Sequence, residues 1–199
     1  MNVIIDYGVG NLSSLISACE AIGFKVEVSG DPALILAADA LILPGVGAFG
    51  AAMKELEKRG LISLIKEKAQ NGTPMLGICL GMQLFFDYSE ENGFYEGLGL
   101  IKGSVKRIPE TVKVPHMGWN QLDSGEYVYY VHSYYVETEP EFVAAYSDYG
   151  VKVPGIVQQG RLLGMQFHPE KSSSAGLGLL NKFKEMVERR CQDAVISSD

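Results

Sequence analysis

Three short runs in this chain, Val3-Ile4-Ile5, Ala40-Leu41-Ile42-Leu43 and Pro74-Met75-Leu76-Gly77-Ile78, are apolar almost without interruption. In extended chain successive side chains point to opposite faces, so such a run belongs where both faces are covered. Between the runs, apolar residues recur at helical spacing. Leu12, Leu15, Ile16, Cys19 and Ile22 form one such stripe, closed by Gly23, and Phe49 to Gln70 forms another, broken near Gly60 into two helices. Phe24 to Val28 adds a strand, and a helix is expected from about Leu80 to Tyr88. That alternation predicts parallel βαβ units.

From about Gly97 the texture changes. Leu98 to Ile108, Tyr127 to Glu137, Phe142 to Ser147, Gly155 to Gln158 and Leu162 to Phe167 are strand-like, with Gln159-Gly160 as a hairpin turn. Leu179, Leu180, Phe183, Val187 and Cys191 share one face of a closing helix, and residues 193–199, ending Ser197-Ser198-Asp199, read as a frayed tail. The expected fold class is α/β. An open, mostly parallel sheet is flanked by helices, with antiparallel additions in the second half, as one domain over residues 1–199.

Charge narrows the function classes. The chain carries a formal charge of −7, and no basic cluster exceeds the Arg189-Arg190 pair, which argues against a nucleic-acid surface. No apolar run approaches membrane-spanning length, and Met1 to Asp6 has no basic, export-type start. Three scattered cysteines, Cys19, Cys79 and Cys191, suit neither a disulfide framework nor a zinc cluster. A reducing cytoplasm is the expected setting, with no metal or other cofactor.

Ligands of open α/β sheets bind at the carboxyl ends of the strands. Three such ends stand out: Gly8-Val9-Gly10-Asn11, Pro44-Gly45-Val46-Gly47, and Cys79. Gly77-Ile78-Cys79-Leu80-Gly81 has the layout of a nucleophile elbow with cysteine in the serine position. A strand-to-helix turn tight enough to expose one side chain strains that residue's backbone, and glycines two positions away clear the space. The helix that follows favours thiolate over thiol, and the Leu80 amide points where an oxyanion would form. Cys19, on an apolar helix stripe, reads instead as core.

An elbow needs a base, and there are three histidines. His116 lies in an irregular stretch, Pro115 to Trp119, and His132 in an aromatic strand where a structural role is the commoner outcome. His168 ends the Leu162 to Phe167 strand and precedes Pro169-Glu170. Pro169 biases His168 toward extended backbone, and Glu170, two residues on, shares its face and can orient the imidazole. Nucleophile, base and orienter together follow triad logic.

These motifs, Pro44-Gly45-Val46-Gly47, Gly77 to Gln83 and Gln166-Phe167-His168-Pro169-Glu170, resemble those of the class I (triad) glutamine amidotransferases, whose core is flavodoxin-like. Tyr7 to Asn11, Pro115 to Asn120, His132-Ser133-Tyr134 and Lys171-Ser172 are similar to the glutaminase subunits of imidazole glycerol phosphate synthases. The resemblance implies glutamine hydrolysis through a Cys79 thioester, with His168 and Glu170 completing the triad. It implies a second oxyanion donor in Val46-Gly47, and Gln83, Gly47, Ser133 and Tyr134 as substrate contacts. It also implies a heterodimer with a (β/α)₈-barrel cyclase that uses the ammonia in histidine biosynthesis, with Trp119, Asn11 and Lys171 as candidate interface residues. The same residues also admit the glutaminase of another amidotransferase and a cysteine hydrolase or peptidase. A nucleotide-binding domain using Gly8-Val9-Gly10 is weaker, since the third glycine of a dinucleotide loop is missing.

Overall fold

A computed structural model of the protein describes residues 1–10 and 12–196, with the side chains of Cys191 and residues 193–196 left out. Asn11 and the Ser197-Ser198-Asp199 tail therefore lie outside the described residues. The first half supplies β1 (Asn2–Ile5), α1 (Leu12–Ala21), β2 (Val26–Ser29), α2 (Pro32–Ala37), β3 (Ala40–Leu43), α3 (Phe49–Lys58), α4 (Leu61–Gln70) and β4 (Met75–Ile78). A single turn, α5 (Leu80–Gln83), is followed by β5 (Tyr88–Ser89), β6 (Tyr95–Glu96), β7 (Gly103–Arg107), β8 (His116–Gln121), β9 (Tyr127–His132) and β10 (Tyr134–Thr138). Then come β11 (Val143–Asp148), β12 (Lys152–Gln159), β13 (Leu162–Met165) and α6 (Ser173–Ile196).

Seven strands form the central sheet in the order β11-β12-β13-β4-β3-β1-β2. The five from β13 to β2 run parallel, and β12 and β11 add antiparallel at one edge. Alternation along the apolar runs sorts their side chains to two cores. Val3, Ile5, Leu41, Leu43 and Met75 pack toward α2, α3 and α4, while Ile4, Ile42, Leu76 and Ile78 pack toward α1 and α6. Full burial of each such side chain stabilises the fold by roughly 1.5–3 kcal/mol, which is why the runs tolerate no polar residue. Cys19 is fully buried in the second core, and burial pushes its thiol up to about 12.

Several elements depart from the sequence reading. The helix after Cys79 ends at Gln83, not near Tyr88. Leu84, Phe85 and Phe86 are all fully buried, which no single helix face permits, and their carbonyls accept from the amides of residues 98–101. The strand expected over Leu98 to Ile108 is confined to β7, because residues 98–101 make these contacts. Ser133 divides the Tyr127 to Glu137 strand into β9 and β10, and the stretch around His116 is a regular strand, β8, paired with β9. Helix α2, capped by Asp31 with Pro32 in its first turn, was not expected. The β12–β13 turn lies at Gly160-Arg161, one residue later than Gln159-Gly160, where Gly160 takes the positive φ (+57°).

Candidate active site

Cys79 follows β4 directly, with φ 53° and ψ −110°. For a non-glycine residue this is strained backbone, costing about 1–3 kcal/mol, and it persists because the surroundings fix it. The amide of Cys79 donates to Met165 O at 2.7 Å, tying the elbow to the end of β13. The flanking glycines are required by backbone contacts. A Cβ on Gly77 would lie 2.7 Å from Gly81 O and from Met82 N and Cα, and one on Gly81 would lie 1.8 Å from Leu43 O.

Three residues beyond the end of that same strand, β13, His168 donates from Nδ1 to Glu170 Oε1 at 2.8 Å, with both side chains almost fully buried. The expected pair is present but its geometry differs. Pro169–Lys171 is a 3₁₀ turn, so Glu170 reaches the imidazole around a turn and not along extended chain. His168 itself is extended (φ −96°, ψ 98°). Ser172, read in the sequence only as part of a motif and given no role, locks the turn: its Oγ donates to His168 O at 2.7 Å and accepts from Tyr129 N at 2.9 Å. His168 Nε2 has no hydrogen-bond partner among the described residues.

Burial pulls the His168 pKa down, but Cys79 beside it and the Glu170 carboxylate outweigh that and hold it up at about 9. Because this lies above the ordinary 6.5, the stabilisation it contributes is fully present below that value and is lost as pH rises through about 9. Urea unfolding between about pH 6 and 10 should show stability falling by on the order of a few kcal/mol. Cys79→Ala should shrink that fall; an unchanged pH profile in the variant would show that Cys79 does not sustain the imidazolium.

Cys79, Leu80 and His168 open on a cavity of about 430 Å³ that Val46, Gly47, Gln83, Ser133 and Tyr134 also line. The loop of Val46 and Gly47 is pinned at its base. Tyr7, fully buried, donates to Pro44 O at 2.7 Å, and a Cβ on Gly45 would lie 2.9 Å from both Leu80 Cβ and Tyr7 Oη. At its tip Gly47 takes φ +97°, with open space where a Cβ would be. Gln83 is buried, and its Nε2 donates to Tyr134 O at 2.9 Å and Gln166 Oε1 at 3.0 Å. Gln166 in turn reaches Cys79 Sγ at 3.7 Å.

Glu91, which the sequence did not single out, and Pro115, read there only as part of a motif, also line the cavity. Glu91 accepts from Phe49 N at 2.7 Å, capping α3 from 42 residues away. The available hint was that Ala48, at the N-cap of α3, offers no side-chain oxygen. Trp119 is 54% exposed, packed edge-on against Tyr129, so it is no core residue. Lys171 is exposed at the end of the Pro169–Lys171 turn. Among the described residues no group of three or more His, Cys, Asp or Glu is placed to hold a metal ion, and no helix is long and apolar enough to cross a membrane.

A strained cysteine at a strand-to-helix elbow, facing a buried His–Glu pair across one cavity, is an acyl-transfer arrangement. Residues 3–186 match the model of the class-I glutamine amidotransferases, and the chain belongs to that family. It is 50% identical to the imidazole glycerol phosphate synthase subunit HisH of Streptococcus gordonii, over 94% of this chain and 97% of that protein. It is 51% identical to the protein of the same name from Oceanobacillus iheyensis, over 94% of this chain and 100% of that protein. A solved glutamine amidotransferase structure superposes with a TM-score of 0.78 at 18% identity, covering 94% of this chain and 98% of that one, a likeness of fold.

Proposed function

We propose that this chain is the glutaminase subunit of an imidazole glycerol phosphate synthase, hydrolysing L-glutamine to glutamate and ammonia. The observation that carries the chemistry is the positive-φ Cys79 beside the buried His168–Glu170 pair, with His168 Nε2 left without a hydrogen-bond partner among the described residues. Cys79 Sγ attacks the side-chain amide carbon of glutamine, and the carbonyl oxygen becomes an oxyanion. The Leu80 amide and one from Val46 or Gly47 receive it, each donor of this kind being worth roughly 10²–10³ in rate. His168 gives its Nε2 proton to the amide nitrogen, the C–N bond breaks and ammonia leaves. Water then attacks the thioester, passing a proton back to His168 Nε2, and the C–S bond breaks to release glutamate. Glu170 keeps the Nδ1 proton in place throughout.

The cavity complements the other end of glutamine. Glu91 supplies a carboxylate for the α-ammonium, while the backbone at Ser133 and Tyr134, with Gln83, frames the α-carboxylate side. Ammonia is consumed elsewhere, by a cyclase partner of (β/α)₈-barrel fold, in the cytoplasm. The face of this chain that meets it includes the exposed Met117, Trp119 and Tyr127, and Lys171 is exposed as well; Asn11 stands as an interface candidate on sequence alone.

A glutamine-derived electrophile should add its mass to Cys79 alone, as read by peptide mass spectrometry. The isolated chain should hydrolyse glutamine slowly and faster with the barrel subunit and its nucleotide substrate. Peptide or ester turnover without labelling of Cys79 would instead indicate a general cysteine hydrolase. Full glutaminase activity alone would remove the coupled partner from the reading.

A further inference from the structure

Two buried histidines take no part in the chemistry described above. His116 and His132 face each other across the β8–β9 ladder, 2% and 7% exposed, with His116 Nδ1 2.9 Å from His132 Nε2. His132 Nδ1 lies 2.8 Å from Tyr134 O. On the outer side, His116 Nε2 lies 3.3 Å from Asn120 Nδ2, which also donates to Asp148 O at 3.1 Å. His116 is stacked between Tyr130, at 4.4 Å, and Tyr149, at 3.8 Å.

The partners fix the protons. A carbonyl oxygen only accepts, so His132 must carry its proton on Nδ1. Neutral His132 then offers a lone pair at Nε2, so His116 must donate from Nδ1. His116 Nε2 is left as an acceptor, and the Asn120 amide supplies the donor; Asn120 Oδ1 accepts from Gln121 N at 2.8 Å, which fixes the amide's orientation. Every group is matched only when both rings are neutral and both carry the proton on Nδ1. Burial favours the same state: it pulls His116 down to about 4, and pulls His132 down to about 3 despite the Tyr134 carbonyl.

The chain of bonds ends on the wall of the glutamine cavity. Tyr134 O accepts from both His132 and Gln83, while Ser133 O accepts from Ile108 N at 2.9 Å. With both carbonyls held, the peptide planes around Ser133-Tyr134 have a set orientation toward the cavity. We propose that Asn120, His116 and His132 form a directional hydrogen-bond relay that orients this backbone for substrate, making both histidines positioning residues for glutamine binding and not for the chemical step. The proposal rests on the glutaminase reading. The outer end of the relay lies on β8, the strand that presents Met117 and Trp119 to solvent.

The test is steady-state glutaminase kinetics on the full chain with its cyclase partner. His116→Phe keeps the aromatic stack but removes the donor to His132, leaving its Nε2 lone pair buried and unmatched, so that the ring is no longer held against Tyr134 O. Glutamine KM should rise about tenfold, the scale of one unmade buried hydrogen bond, with kcat within about twofold. His132→Phe should raise KM at least as much, and His132→Asn, which returns an N–H near the Nδ1 position, should recover most of the loss. Unchanged KM in both Phe variants, or an equal fall in kcat, overturns the relay. A wild-type protein that does not hydrolyse glutamine overturns the glutaminase reading instead. Should the variants fail to fold, ¹⁵N NMR of the wild-type imidazoles decides: both rings should be neutral with the proton on Nδ1 around neutral pH, and finding the Nε2–H form or a titrating ring there overturns the relay.

Discussion

Cys79→Ala should abolish glutamine hydrolysis, lowering kcat by roughly 10⁴-fold or more while leaving the folded state nearly unchanged. The loss follows from the proposed mechanism: among the described residues lining the cavity Cys79 carries the only thiol, and the oxyanion donors have nothing to stabilise without a tetrahedral adduct. The fold survives because alanine keeps the Cβ and the same strained backbone. Cys79→Gly separates the two roles further. Glycine adopts φ 53° without penalty, so this variant should be as inactive as alanine yet more stable by about 1 kcal/mol. Glutamine turnover and urea midpoints measured on both variants check this. Glutaminase activity retained by either one would falsify the nucleophile assignment.

Gly81→Ala should be the most damaging small substitution in the chain, destabilising it by about 3 kcal/mol or more. The new Cβ would lie 1.8 Å from Leu43 O and 2.7 Å from its carbonyl carbon. Neither atom can retreat easily, because β3 is held between β1 and β4 in the middle of the sheet. Relief must come from the elbow, which would carry Leu80 and its amide away from the cavity, so activity should fall with stability. Gly178→Ala is the contrasting case. That position is exposed on α6 and a Cβ there meets nothing within 4 Å, so helix propensity predicts no loss or a gain of up to about 1 kcal/mol. Similar urea midpoints for the two variants would contradict the contact argument.

The elbow was legible because its requirements are local. Gly77 and Gly81 are demanded by backbone a few residues away or in the adjacent strand, and their spacing shows in the sequence. The His168–Glu170 pair was legible for the same reason, although the 3₁₀ turn was not: Pro169 is compatible with either continuation. Glu91 was hidden because its partner, the start of α3, lies 42 residues away. The His116–His132 contact was hidden because a strand was read as irregular. Its aromatic neighbours Tyr130 and Tyr149 join the stack only once β8 and β9 pair and the β11–β12 edge closes over them. The length of α5 was misjudged because helical periodicity takes no account of the 98–101 segment, which captures the carbonyls of Leu84, Phe85 and Phe86 just after the helix.

By itself the sequence determined the parallel core, since runs apolar on both faces have no other stable placement, and it singled out Cys79 as the residue presented at the elbow, since only a tight turn calls for glycines on both sides of it. It could not bring Cys79 to His168. The tertiary structure did that by laying β13 parallel beside β4, with Met165 opposite Ile78, so that both strands release their functional residues at the same end of the sheet. The cavity walls, from the 44–47 loop to Ser133-Tyr134, were decided at that level too. Their partners are tens of residues distant, and only packing sets which of them meet.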